Sequence, residues 1–165
     1  MVLVLVRQPH TCLFAKEGYV ITLIARGTDS LKALSDDITA VGGTGAPFPI
    51  SSYSVEGINS VFSKIHACYQ DHPVRFAVYN AAHGVWKPFL DVTFDDIQVV
   101  MQTNIEEAFT FSKNVILAFQ KNGLDEKGKR GALILMGATP SIRGSATTSV
   151  FSAGTMRLDH CHRVW

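Results

Sequence analysis

Small side chains follow an apolar segment at Val78–Gly84, where the sequence is VYNAAHG. Asn80, Ala81 and Ala82 would leave the backbone bare beyond the end of a buried strand. A flat adenine–ribose group could then approach the main chain, and the amide of Asn80 could tie neighbouring strands together. A tight turn between a strand and a loop uses the same residue types. The stretch, with Gly84 completing the run of small residues, is therefore a candidate nucleotide site.

A cation, Arg26, ends an earlier apolar segment, Tyr19–Ala25. In dinucleotide-binding folds an acidic residue near the end of the second strand favours NAD, whereas an arginine accommodates the 2′-phosphate of NADP. A strand-end arginine can equally be a solvated surface group. As a cofactor ligand, Arg26 favours NADP over NAD.

Asn104 lies in VMQTNIEEAF, within a segment whose apolar residues recur at helical spacing. A polar amide on an otherwise apolar helix face needs a hydrogen-bond partner. One interpretation is a structural bond to a nearby carbonyl. The other is an amide that holds a water molecule in a proton relay, which would make Asn104 a catalytic residue.

The bulk composition predicts a soluble, globular protein. Of 165 residues, 47% are hydrophobic and 18% charged, and the formal net charge is +1. This excludes a disordered tail and provides no global field that would attract nucleic acid or acidic lipid.

The cysteines are odd in number and widely spaced, at Cys12, Cys68 and Cys161. They therefore support neither a disulfide framework nor a zinc site. His160 and His162 flank the last cysteine, but adjacent residues on a short tail rarely hold one ion well, so no metal is expected. A reducing, cytoplasmic setting is the default.

Short apolar segments alternate with helical patterns along the chain. The predicted strands are, in order, MVLVLV, YVITLIA, APFPI, VRFAVYN and ALILMG. Helices are predicted after the second, third and fourth strands, the last running from about Thr93 to Gln120 with a capping box at Thr93 and Asp96. Continuous apolar strands that alternate with helices are typical of a parallel sheet with right-handed crossovers. We therefore predict an α/β, Rossmann-like, doubly wound parallel sheet with helices on both faces, in a single domain over residues 1–165.

Ligands of such sheets bind beyond the carboxyl ends of the strands, where the strand order reverses. Three of the candidate stretches fall at such ends. They are ARG after the second strand, NAAHG after the fourth and GATPS after the fifth. The predicted fold therefore gathers the candidate residues at one edge of the sheet.

Four regions of the chain resemble the short-chain dehydrogenase/reductase family. They are FAKEGYVITLIAR, NAAHG, FDDIQVVMQTNIEEAF, and GALILMGATPSIRG with FSAG. The second is similar to the family's NAG motif, and Asn104 matches its helical catalytic asparagine. The resemblance spans about residues 13–155 and leaves 156–165 as a divergent tail. It implies an NAD(P)-dependent oxidoreductase that acts on a small carbonyl or alcohol.

The resemblance also implies four catalytic groups, of which the sequence retains Asn104. The family's tyrosine, lysine and serine positions are occupied by Phe151, Thr155 and Ala138. A phenylalanine cannot exchange a proton and a threonine carries no charge, so the family's proton transfer is lost. Ser141 lies close to the serine position and could substitute for it, or could cap its own turn. We therefore expect little or no turnover, as in a pseudoenzyme.

The family's glycine-rich turn against the pyrophosphate is missing from the sequence. RQPHTCL follows the first apolar segment, and no glycine precedes Gly18. Side chains at the former glycine positions would crowd the phosphates. The family also continues beyond the region of resemblance, so the sheet is expected to be incomplete. The alternatives to a working enzyme are a catalytically silent Rossmann-like binding or interaction module and a truncated product of a longer reductase.

The long helix is expected to mediate association. In the family a neighbouring helix pairs with it, and without that neighbour an apolar stripe between Thr93 and Gln120 would be exposed. We therefore expect a homo- or hetero-oligomer that forms through this helix, and no nucleic-acid or membrane partner.

Overall fold

The computed structural model of the chain describes residues 1–5 and 11–156. Five parallel strands form one sheet in the order β3-β2-β1-β4-β5. The strands are β1 Val2–Leu5, β2 Val20–Ala25, β3 Thr44–Pro49, β4 Phe76–Tyr79 and β5 Ala132–Leu135. Each of the five overlaps a predicted strand. The apolar runs lack the polar positions that recur at helical spacing in a surface helix, so they favour strands. The predicted parallel α/β sheet is confirmed.

Helices cover both faces of this sheet, as predicted. The α-helices are α1 Thr11–Lys16, α2 Thr28–Ala40, α3 Val55–Cys68, α4 Phe94–Met101, α5 Glu107–Gln120 and α6 Ser149–Met156. Helices α1 and α2 pack on the face that carries Val2, Ile21 and Leu23. Helices α3 and α5 pack on the opposite face, which carries Leu3 and Ile24. Burying each such side chain contributes about 1.5–3 kcal/mol.

The predicted long helix from Thr93 to Gln120 is interrupted. A π-helical turn, Gln102–Glu106, separates α4 from α5. The predicted capping box begins α4: the Thr93 hydroxyl accepts from the Asp96 amide at 3.2 Å, and the Thr93 amide donates to the Asp96 carboxylate at 2.9 Å. Insertions of this kind re-aim side chains within a helix and are frequent at functional sites.

The strand order reverses between β1 and β4, which are hydrogen-bonded neighbours at the centre of the sheet. β2 lies on the far side of β1, and β5 lies on the far side of β4. The segments that follow β2, β4 and β5 therefore emerge at one edge. The sequence predicted this grouping of ARG, NAAHG and GATPS, and the topology confirms it.

None of the helices between residues 11 and 156 combines the length and apolar character that crossing a membrane requires.

Candidate functional site

Asn104 joins the loop after β4 to the π-helical turn. Its side chain is 1% exposed. The amide oxygen accepts from the backbone N–H of His83 at 2.7 Å, and the amide nitrogen donates to the carbonyl of His83 at 3.1 Å. This reciprocal pair uses Asn104 as a structural tie, the first of its two predicted roles. The relay role stays a prediction.

Trp86 covers the glycine of the small-residue run. A Cβ atom at Gly84 would lie 2.2 Å from the indole ring, so this position admits no side chain without displacing the tryptophan. The indole also packs against Phe151, with ring centroids 5.5 Å apart. Phe151 is buried, whereas Trp86 is 65% exposed. The position predicted to correspond to the family's tyrosine is therefore held in an apolar ring pair.

The position that corresponds to the family's lysine also lacks a free polar group. Thr155 is buried, and its hydroxyl donates to the Phe151 carbonyl within α6 at 2.9 Å. At Gly154, a Cβ atom would lie 2.5 Å from the side chain of Val100 and 3.1 Å from the amide nitrogen of Asn104. The absence of a side chain there lets α6 approach the π-helical turn closely.

The serine-like positions lie in the segment after β5. Ala138 is partly buried and precedes a 3₁₀ turn at Thr139–Ser141, which packs against α6. Ser141 is buried in this turn, and its backbone N–H donates to the Ala138 carbonyl at 2.9 Å. The structure thus brings the segment of Ala138 and Ser141 to the helix that carries Phe151.

Arg26 and the small residues form the other end of the site. The Arg26 guanidinium carbon lies 4.8 Å from the centre of the Tyr53 ring. Arg26 and Ala82 are exposed, Asn80 is partly buried, and Ala81 is buried beneath them. Burial raises the pKa of the Tyr53 phenol, while the Arg26 charge opposes that shift. A cation after β2 and a run of small residues after β4 therefore lie at the same edge of the sheet, on either side of β1. This edge is where dinucleotides bind in such folds.

Glu107 is an acidic residue beside this end that the sequence analysis missed. It is 2% exposed, and its Oε2 atom is buried with no hydrogen-bond partner within residues 1–5 and 11–156. Burial raises the pKa of Glu107 to about 8, the Arg26 charge opposes the rise, and Glu106 adds to it. Helical spacing carried a signal, since Glu107 lies four residues before the buried Phe111 and so on the apolar side of α5.

Tyr79 lies close enough to Glu107 for the two groups to affect each other. Its hydroxyl donates to the carbonyl of Thr103 in the π-helical turn at 2.5 Å. Burial and the Glu107 charge both raise the pKa of Tyr79. The Tyr79 phenol is therefore neutral and donates its hydrogen bond to the backbone.

An ion pair anchors the loop that carries Trp86. The Lys87 ammonium lies 2.7 Å from the carboxylate of Asp96 at the start of α4, and the Lys87 amide donates to the Thr147 carbonyl at 3.0 Å. Hydrogen bonds from Lys87 and Thr93 hold the pKa of Asp96 down to about 2.

The predicted absence of a metal site is not contradicted in the described part of the chain. Residues 1–5 and 11–156 contain no group of three or more His, Cys, Asp or Glu side chains that could hold a metal ion. The histidines and cysteine of the tail, and residues 6–10 in and before the RQPHTCL segment, lie outside the described residues.

The family model of short chain dehydrogenases matches residues 11–160. The chain belongs to the short-chain dehydrogenase family. The matched region contains the interrupted helix with Asn104, the NAAHG loop and the Phe151 helix. The resemblance inferred from sequence is thereby confirmed. No curated protein sequence matches the chain.

Solved structures of short-chain dehydrogenases share the fold. A Serratia marcescens short-chain dehydrogenase/reductase mutant superposes with a TM-score of 0.82 at 16% identity, over 97% of this chain and 64% of that one. An NADH-dependent reductase responsible for alginate metabolism gives 0.84 at 18% identity, over 98% and 68%. An NAD⁺-bound xylitol dehydrogenase gives 0.82 at 18% identity, over 97% and 61%. The present chain spans roughly two thirds of the length of these proteins.

Proposed function

We propose that this short-chain dehydrogenase binds NAD(P) and has little or no oxidoreductase turnover in this chain. The observation that carries the proposal is the packing of Phe151 against Trp86, because an apolar ring pair occupies the site where the family's phenol would exchange a proton. Thr155 supports it, since a buried hydroxyl bonded within its own helix offers a ribose neither charge nor a free donor.

The adenosine end fits such a cofactor better than the nicotinamide end does. Arg26 would hold a 2′-phosphate, and the backbone of Asn80, Ala81 and Ala82 would lie under the adenosine. At the other end, Phe151 and Thr155 offer no equivalent polar group. When bound, NAD(P) supplies hydride chemistry. Arg26 makes NADP our preferred form, while the solved relatives named for a cofactor are described with NADH or NAD⁺.

The proposal is tested by titrating NADPH, with NADH alongside, and following nucleotide fluorescence. We expect saturable binding, tighter for NADPH, and no absorbance change with small carbonyl substrates. Turnover by the unmodified chain would contradict the silent-enzyme proposal, and a folded sample that binds neither nucleotide would contradict cofactor binding.

A gain-of-function variant separates the two halves of the proposal. We expect the triple substitution Ala138→Ser, Phe151→Tyr and Thr155→Lys to gain measurable NADPH oxidation if the cofactor binds. The matched control is the same variant with Phe151 retained, which restores the serine and lysine but no phenol. Equal activity in both would show that the phenol is not the missing group.

A second proposed role is association through α5. Exposed apolar side chains follow one another along the interrupted helix, at Val99, Phe109 and Leu117, and Phe94 is exposed at its start. Phe109 and Leu117 are eight residues apart and so lie along one stripe. A stripe of this kind favours pairing with a second apolar surface. We expect a homo- or hetero-oligomer.

Light scattering tests the association. Phe109→Glu should lower the average mass at high protein concentration, because it places a charge within the stripe. Ala33→Glu adds the same charge at an exposed position of α2, on the opposite face of the sheet, and should leave the mass unchanged. A wild-type chain that is monodisperse and monomeric at high concentration would rule the association out.

A further inference from the structure

Glu107 is a buried acid with unused hydrogen-bonding capacity beside a cation. Only 2% of Glu107 is exposed, and its Oε2 atom has no hydrogen-bond partner in the described part of the chain. A buried polar atom without a partner costs stability, so its presence in a folded site calls for a functional explanation. The neighbouring Tyr79 does not satisfy it, because the Tyr79 hydroxyl is directed to the Thr103 carbonyl.

The ionisable groups that act on Glu107 come from four elements. Arg26 follows β2, Tyr53 follows β3, Tyr79 ends β4, and Glu106 is the chain neighbour of Glu107. Among these, Arg26 is the cation, and it faces the edge where the nucleotide would lie. Arg26 is therefore the positive charge that an ionised Glu107 would compensate. It is also the proposed ligand of the phosphate.

We propose that Glu107 decides, through its own proton, whether the Arg26 corner accepts the 2′-phosphate of an adenosine. The proposal rests on the proposed nucleotide site. As a neutral acid, Glu107 leaves the Arg26 charge uncompensated and available to a phosphate. As a carboxylate, it offsets part of the Arg26 charge, which acts on it, and repels a phosphate bound at Arg26.

The switching pH follows from the environment of Glu107. Burial raises the pKa of Glu107 to about 8, and a bound phosphate would raise it further by like-charge repulsion. A phosphate monoester is a dianion at pH above about 6, so its own charge stays constant across this range. Affinity for the 2′-phosphate should therefore fall about tenfold between pH 7 and 9, while affinity for a nucleotide that lacks it stays constant.

Calorimetric titration with 2′,5′-ADP and with 5′-AMP at pH 7, 8 and 9 tests the proposal. We expect the tenfold fall for 2′,5′-ADP with the wild type and a change under twofold with Glu107→Gln. Glu126→Gln removes an exposed carboxylate in the loop before β5, which does not act on Glu107, and is the control that should follow the wild type. Titration at pH 9 in buffers of different ionisation enthalpy should show proton uptake by the wild type and none by Glu107→Gln.

The outcomes separate this inference from the proposed function. Equal pH dependence in wild type and Glu107→Gln, or in both nucleotides, would overturn the role of Glu107 while the nucleotide site stands. No binding of either nucleotide by any folded variant would overturn both. Circular dichroism establishes folding, and Glu107→Met, which is of similar volume, replaces Glu107→Gln if the amide is not tolerated.

Discussion

The two ends of the site use their polar groups differently, although both are built on the loop after β4. At the adenosine end, Arg26 is exposed and Glu107 keeps an unpartnered oxygen. At the catalytic end, the amide of Asn104 and the hydroxyl of Thr155 are bonded within the protein, and Phe151 faces an indole. Polar groups without protein partners therefore remain at the adenosine end, where a ligand would bind. At the other end, the polar groups are bonded within the protein.

This difference indicates that nucleotide binding could be retained without catalysis. Binding requires a bare backbone and a charge, which β2 and β4 provide through their positions in the sheet. The family's catalysis would require a tyrosine and a lysine on α6, where Phe151 and Thr155 are buried. Under the proposed function, the sheet and its nucleotide edge are kept while the positions of the proton-transfer groups are taken by packing residues.

The largest expected effect is that of Asn104→Ala, which removes the tie between loop and helix. The N–H and C=O of His83 lose their partners, so we expect the free energy of unfolding to drop by roughly 2–4 kcal/mol. Urea denaturation measures it. Asn104→Asp keeps the acceptor but sets a carboxyl oxygen against the His83 carbonyl, so it should also lose stability and lose more as the pH rises. An unchanged stability in Asn104→Ala would show that the amide is free for a ligand, and the contrast between the two ends would fail.

Glu107→Gln should change how stability depends on pH. The folded-state pKa of about 8 lies above the ordinary value of 4.5, so the folded protein holds an extra proton between these values. Stability of the wild type therefore falls as the pH rises from 4.5 to about 8 and is level above it. Relative to Glu107→Gln, the wild type should therefore lose stability steadily across this window.

Thermal unfolding at pH 5, 6, 7 and 8 measures this difference. Glu126→Gln serves as the control, because its carboxylate is exposed and does not act on Glu107. Parallel curves for wild type and Glu107→Gln would mean that Glu107 titrates normally, and the adenosine end would then hold no unusual acid.

Trp86→Ala should loosen the catalytic end alone. Loss of the ring contact with Phe151 should reduce the free energy of unfolding by about 0.5–1.5 kcal/mol and expose Phe151 to solvent. Nucleotide affinity at the Arg26 corner should stay within twofold of the wild type. Trp86→Phe keeps an aromatic ring and should lose less stability. A large loss of adenosine phosphate binding would show that the two ends are not separable.

Asp96→Asn should give the smallest effect, because the pair with Lys87 is partly exposed and screened by solvent. The pKa of Asp96 is lowered, so the stability it contributes is present above its unfolded value near 3.8 and is lost as the pH falls towards 2. The Tm difference between wild type and Asp96→Asn should therefore shrink across that window. Asp95→Asn, one residue earlier in α4 and exposed, is the control.

The sequence by itself determined the architecture and the residues at the family's catalytic positions. Apolar runs and helical periodicity are local patterns, so they were enough to predict the five strands, the helices on both faces and the capping box of Thr93. Residue type alone excludes proton exchange at Phe151 and charge at Thr155. The grouping of Arg26 with the NAAHG loop followed from the rule that parallel strands end at one edge.

The tertiary structure decided which groups are used and which stay unpaired. Asn104 finds its partner 21 residues away at His83, Trp86 turns back over Gly84 onto Phe151, and Glu107 is buried beside the exposed Arg26. Periodicity assigns a side chain to a face, but the partner of a polar atom depends on distances between segments remote in sequence. That is why the sequence offered two roles for Asn104 and gave no warning that Glu107 would be an unsatisfied acid.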